Sequence, residues 1–129
     1  MASVAERLNA FHRLLTEWNA FKGLVSRQDI DDLWHRHVED SLQAVPLIPS
    51  HVDRAIDIGS GAGFPGLIVA VAARIHVDLF ESNKQKCAFL REAYGKVYRN
   101  GGFAHAAFRV EHDPTDSLHE FSPVTKSAA

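Results

Sequence analysis

The 129-residue chain is the size of one domain, and its 46% hydrophobic and 23% charged content is that of a folded protein, not a disordered one. Its single cysteine, Cys87, excludes a disulfide framework and suits a reducing cytoplasm; no apolar run nears the roughly 20 residues of a bilayer span and no leader-like segment opens the chain, so a soluble cytoplasmic protein with no membrane partner is expected. A net charge of −2 gives no basic footprint from which nucleic-acid binding could be read.

In chain order, Val4, Leu8, Phe11, Leu14, Leu15, Trp18 and Phe21 recur at helical spacing, with Glu6, Arg7, Arg13 and Glu17 on other faces. Gly23 and the stretch from Ser26 to Asp29 interrupt this amphipathic helix, and Ser26 or Asp29 suits the cap of the next. A second helix is predicted through Ile30, Leu33, Trp34, His37, Val38, Ser41, Leu42 and Val45, ending at Pro46, with Asp29, Asp31 and Asp32 favouring its positive end. The aromatic positions Phe11, Trp18, Phe21 and Trp34 read as helical core in preference to base-stacking residues. On the second helix Arg36-His37 and Glu39-Asp40-Ser41 form a polar cluster in which His37 and Ser41 share a face. His37 beside Asp40 could orient a loop or a substrate, but no third partner makes a triad. The other seven histidines are scattered without ligand spacing, so no metal site is expected.

After the connection from Pro46 to Pro49, Ala55 to Ile58 read as a buried strand that runs into Gly59, Gly61, Gly63 and Gly66. Pro65 suits the first turn of a following helix, and Leu67 to Ala73 are almost wholly apolar, as for a helix packed on a sheet. Val77 to Phe80 form the next strand, which ends in Glu81. Ser82-Asn83 then start a helix that buries Cys87, Leu90, Ala93, Tyr94 and Val97 and leaves Lys84, Lys86 and Arg91 as a solvated basic face or as phosphate contacts. Asn100-Gly101-Gly102 signals a turn before a third strand from Phe103 to Val110, ending near Glu111. Residues 113–122 are loop-like, and 123–129 suit a stub of a fourth strand. The fold class is therefore α/β, with a helical segment at 1–49 and a β-loop-α-β-α-β segment at 50–129 that together form one compact unit.

The stretch from Gly61 to Gly66 satisfies the G-x-G-x-x-G spacing of a dinucleotide site. Asp57 argues against a pyrophosphate there, because a carboxylate beside the loop repels a dianion and attracts a cation. S-adenosyl-L-methionine, with a sulfonium and an ammonium and no phosphate, suits the pattern better than a nicotinamide dinucleotide. Glu81 should reach the same sheet edge as the glycine loop, placed to accept hydrogen bonds from both ribose hydroxyls of an adenosine.

With those residues identified, the chain resembles the glucose-inhibited division protein B family, bacterial methyltransferases acting on guanine N7 of small-subunit ribosomal RNA. The likeness lies in Trp18-Asn19, Leu24 with Ser26, Arg36-His37 with Asp40-Ser41, the loop from Asp57 to Gly66 with Phe64-Pro65-Gly66, and Glu81-Ser82-Asn83-Lys84 through Phe89-Leu90-Arg91. A weaker likeness continues at Arg109-Val110-Glu111. The resemblance implies N-terminal helices followed by an incomplete Rossmann-like class I methyltransferase sheet, with S-adenosyl-L-methionine as cofactor and ribosomal RNA as partner. It implies that Gly59 and Phe64 contact the cofactor, that Glu81 holds its ribose, and that Val110 and Glu111 lie near its adenine. Gly23 departs from the pattern, where the family has Asn, and Ser127 is the nearest counterpart of an expected arginine. The family continues through several more strands, so the chain looks C-terminally truncated, with most of the acceptor-binding half missing. Its first strand should then be an exposed edge, which predicts marginal stability or self-association. Guanine N7 carries no proton, so the implied reaction needs no general base. No catalytic residue is assigned; Arg36, His37 and Asp40 are candidate organisers. The alternative is a catalytically inactive cofactor-binding or interaction module.

Overall fold

Ser3 sets the start of the first helix. Its hydroxyl accepts the Glu6 N–H at 3.2 Å while the Glu6 carboxylate accepts the Ser3 N–H at 2.6 Å, a reciprocal capping box. In the computed structural model, which describes residues 2–97 and the backbone of 110–111, helix α1 runs from Val4 to Lys22 and stops at Gly23, whose φ of 54° is left-handed. Leu8, Phe11, Leu14 and Leu15 are buried as their spacing predicts. Two positions differ from expectation. Arg7 is 2% exposed, with Nη1 donating to the Val97 carbonyl and Nε to the Ala2 carbonyl, both at 3.1 Å, so a cation of the first helix reaches a carbonyl of the helix over Lys84–Val97. Phe21 is 86% exposed, because the apolar stripe of α1 continues one turn past the surface that covers it. Trp18 is the last aromatic of the stripe to pack inward, edge-on to Phe89 at 5.6 Å, with its Nε1 donating to Glu92.

The predicted second helix forms in pieces. Helix α2, Arg27–Asp31, is capped by the Ser26 hydroxyl, which accepts the Asp29 N–H at 3.0 Å. Trp34–Glu39 then widen into a π-helical turn before α3, Asp40–Leu42, and a 3₁₀ turn at Val45–Leu47. The His37 carbonyl accepts both the Asp40 N–H and the Ser41 hydroxyl, a local alternative to the regular ladder. Leu33 and Val38 remain in the core, and Trp34 is half-buried.

Three parallel strands follow in the order β1 (Arg54–Ile58), β2 (His76–Phe80) and β3 (Val110–Glu111), with Ile58 opposite Phe80 and Phe80 opposite Glu111. Helix α4, Gly66–Ala73, connects β1 to β2, and α5, Lys84–Val97, follows β2. Helix α1 packs on both. Leu67, Ile68 and Val71 of α4, Val77 and Leu79 of β2, and Cys87, Phe89, Leu90, Ala93 and Val97 of α5 share one core with the buried face of α1. Of the predicted third strand, 103–109 lie outside the described residues, as do the loop and strand stub expected at 113–129.

Strand β1 is not buried as expected. Ile56 is 64% and Ile58 85% exposed, while the alternate residues Ala55 and Asp57 are half-buried. A parallel strand is enclosed only when layers cover both its faces. Among the described residues the Arg54, Ile56 and Ile58 face lies open, and no strand pairs with the outer edge of β1. On β2, Asp78 is buried between Arg54 Nη2 at 2.7 Å and His76 Nε2 at 2.9 Å. Burial pushes this carboxyl up, but the hydrogen bonds from His76 and Arg54 outweigh it and hold Asp78 below its ordinary value.

Candidate cofactor site

The turn from β1 into α4 needs left-handed backbone at three places. Gly59, Gly61 and Gly63 have φ of 76°, 57° and 101°, values that L side chains rarely adopt. Gly66 serves a different purpose. A Cβ there would stand 2.4 Å from both Asp57 Oδ2 and Leu79 Cδ2, so its missing side chain lets α4 sit directly on the sheet. Among the described residues, a Cβ at Gly59 would meet nothing within 4 Å, and one at Gly61 only the Gly59 carbonyl at 4.0 Å. The loop is thus open to close approach on that side.

Most of the loop's N–H groups already have acceptors. Gly59 and Ser60 both donate to the Phe80 carbonyl, at 2.9 and 3.0 Å, tying the start of the loop to the end of β2. Gly63 donates to the Ser60 carbonyl at 2.8 Å, and Ser60, 1% exposed, returns its hydroxyl to the Asp57 carbonyl at 3.1 Å. The other two acceptors are carboxylates. Asp57 Oδ2 accepts the Gly66 N–H at 3.2 Å, at the positive end of α4, and Glu81 Oε1 accepts the Gly61 N–H at 2.9 Å. Glu81 Oε2 accepts the Asn83 N–H at 2.7 Å, and Asn83 Oδ1 in turn caps α5 by accepting the Lys86 N–H. Burial pushes the Asp57 carboxyl above its ordinary value in spite of its hydrogen bond from Gly66.

The structure therefore brings Asp57, Gly59, Gly61, Gly63, Phe64 and Glu81 to one end of the sheet. The strand register sets the backbone of Val110 and Glu111 alongside Leu79 and Phe80 at the same end. The polar cluster of the second helix is dispersed. Arg36 turns to Asp29 and Asp32, at 3.4 and 3.6 Å, and Asp40 is exposed. Only His37 reaches the loop, stacking on Phe64 with ring centroids 4.8 Å apart and planes at 26°. Phe64 also meets Phe11 edge-on at 5.4 Å, so the loop's one aromatic is held between the second helix and the core of α1. Sequence reasoning treated Asp29 as a helix cap and missed its place near the site, where its Oδ1 lies 3.7 Å from His37 Nε2. It also missed Phe11 as a wall of the loop, because helical spacing marks a residue as buried without naming what it is buried against.

Comparison with known sequences gives the family. The sequence model of the family described as rRNA small subunit methyltransferase G matches residues 4–125. Among curated relatives named Ribosomal RNA small subunit methyltransferase G, the one from Gluconobacter oxydans is 56% identical over 88 residues, 68% of this chain and 45% of the relative. That from Rhodospirillum centenum is 42% identical over 115 residues, 88% of this chain and 53% of the relative. That from Rickettsia akari is 41% identical over 97 residues, 75% of this chain and 50% of the relative. The chain spans about half the length of the curated relatives it matches. The helices, glycine loop and parallel strands form an incomplete Rossmann-like α/β fold, and with a match across nearly all its residues the chain belongs to the rRNA small subunit methyltransferase G family.

Proposed function

We propose that this chain binds S-adenosyl-L-methionine at the β1–α4 loop and takes part in methyl transfer to guanine N7 of small-subunit ribosomal RNA. The observation that carries the cofactor reading is the chemistry at the loop. A pyrophosphate site needs several backbone N–H groups aimed outward, and here those of Gly59, Ser60, Gly61, Gly63 and Gly66 are engaged within the protein. What the loop offers instead is two carboxylates, Asp57 and Glu81, whose remaining lone pairs suit an ammonium and vicinal hydroxyls. This donor and acceptor set fits S-adenosyl-L-methionine and disfavours a nicotinamide dinucleotide. Gly59, Gly61 and Gly63 would let the cofactor approach the backbone, Phe64 would pack against it, and the Val110–Glu111 backbone would border its adenine.

When bound, the cofactor supplies an electrophilic methyl on sulfur. Guanine N7 presents a lone pair without a proton, so the chain's residues need not move one. Their contribution is to hold donor and acceptor in line, an effect of proximity and orientation. A second reading, cofactor or partner binding without turnover, draws on the exposed Ile56 and Ile58 face and on the outer edge of β1, which no strand among the described residues pairs with and which also suits pairing with a second copy.

Calorimetry with S-adenosyl-L-methionine and with NAD, followed by transfer of a labelled methyl to ribosomal RNA, separates the readings. Selective binding with transfer is the expected result, and binding without transfer favours the module. Binding of NAD in preference to S-adenosyl-L-methionine would overturn the cofactor assignment.

A further inference from the structure

We infer that His37 is a positioning residue for the cofactor loop, acting through the ring of Phe64; the ligand half of this inference rests on the proposed cofactor reading. Between Gly59 and Phe64 three glycines leave the backbone unusually free to sample other conformations, and Phe64 is the one large side chain that can restrain it. Two rings grip Phe64. Phe11, 1% exposed and itself 5.9 Å from Phe89, is fixed in the core and touches Phe64 by its edge. His37 supplies the stacked face, and it does so from the π-helical turn.

The π turn gives His37 its aim. An inserted residue in a helix rotates the side chains beyond it and is frequent at functional sites. Here the irregularity is stabilised locally, since the His37 carbonyl takes hydrogen bonds from both Asp40 N–H and Ser41 Oγ, and Ser41 is 5% exposed. The ring nitrogen Nε2 is shut off from solvent and has no hydrogen-bond partner among the described residues; Asp29 Oδ1, at 3.7 Å, is beyond hydrogen-bond reach. A buried polar atom left without a hydrogen bond is unfavourable, so placement of this ring serves something other than helix stability. The stack on Phe64 is what it accomplishes. His37 thereby links the helical segment to the loop, whereas Arg36 and Asp40 of the same cluster do not.

The test uses the full chain with His37→Ala, His37→Phe and Phe64→Ala variants. Amide hydrogen exchange without cofactor reads the loop directly. In His37→Ala, exchange at Gly61 and Gly63 should rise about 3- to 10-fold, the size of one lost aromatic stack, with Val77 and Leu79 of β2 unchanged. His37→Phe, which keeps a stackable ring without the ring nitrogens, should return to within about twofold of the parent. Calorimetry should show S-adenosyl-L-methionine binding weakened by a similar factor in His37→Ala and rescued in His37→Phe. In the Phe64→Ala background His37→Ala should add nothing further. Unchanged loop exchange in His37→Ala overturns the inference whatever the cofactor proves to be. Faster exchange throughout the protein would assign His37 to general packing and overturn it equally. If the parent chain fails to bind S-adenosyl-L-methionine while loop exchange responds as described, the cofactor reading falls and the positioning role stands.

Discussion

Gly66→Ala tests the packing that places the loop on the sheet. Gly66 is the first residue of α4 and its φ is not left-handed, so alanine meets no backbone objection there. Helix propensity favours the exchange by about 0.8–1.0 kcal/mol in a helix interior and by less at a first position. Against that gain stand contacts of 2.4 Å to Asp57 Oδ2, 2.4 Å to Leu79 Cδ2 and 2.8 Å to Asp57 Cβ. Leu79 is 0% exposed and cannot swing outward, and Asp57 carries the hydrogen bond from Gly66 itself. Forcing a methyl into such a site costs about 1–3 kcal/mol, which leaves a net loss of about 0.5–2 kcal/mol. With the urea dependence of a small domain, the unfolding midpoint should fall by about 0.5–1 M. Leu79→Ala relieves one of the three contacts, so the penalty of Gly66→Ala should be smaller in that background, with a coupling of about 0.5–1 kcal/mol. A midpoint that stays put or rises, or an equal penalty in both backgrounds, would refute the close-packing argument.

Asp57→Asn separates stability from binding. A carboxyl whose folded pKa is raised contributes most below its ordinary 3.8, and that contribution is lost as pH rises through the folded value. At neutral pH the amide should therefore match or exceed the parent in urea melts while weakening S-adenosyl-L-methionine about tenfold or more in calorimetry; a destabilised variant with intact binding contradicts this. Asp78 has the opposite sign, since its lowered folded pKa gives stability that is present above 3.8 and lost as pH falls through the folded value. Urea melts as a function of pH should show Asp78→Asn less stable than the parent at neutral pH and flatter below about pH 4, and parallel acid limbs would count against it. Self-association through β1 predicts concentration-dependent sedimentation of the parent chain and a shift toward monomer in Ile58→Lys; a parent that is monomeric at all concentrations removes the idea.

The element order was legible because each element carries its own periodicity. The 3.6-residue stripe of α1, the apolar run of α4 and the strand ending in Glu81 all form where the pattern puts them. What escaped the pattern was long-range or two-sided. Arg7 falls off the apolar stripe, and nothing local shows that it will reach the Val97 carbonyl 90 residues on. The π turn is invisible to spacing, since Leu33, Trp34 and Val38 satisfy an α-helical period until the ladder is drawn. Ile56 and Ile58 read as buried because an apolar run cannot report whether one or two layers cover its strand.

That the residues of the candidate site would meet at one end of the sheet was legible in the sequence, and the bonds among them were not. Asp57 and Glu81 were assigned to a ligand from their charge and position alone, and each proves to hold part of the protein as well. Glu81 is engaged through both oxygens, by Gly61 N–H and Asn83 N–H, so it fixes the loop and the start of α5 together. Each carboxylate oxygen still has a second acceptor position, so these bonds leave room for the proposed pair of ribose hydroxyls and would hold the carboxylate in place for them. The two acids therefore differ as probes. Glu81→Gln would set an amide N–H against one of two backbone N–H donors, so a loss of binding would reflect the loop as much as the proposed ribose contact. Asp57 uses Oδ2 for Gly66, and an asparagine can keep that bond through its carbonyl while losing the charge. The charge term at the loop is thus best read at Asp57, and the loop's architecture at Glu81.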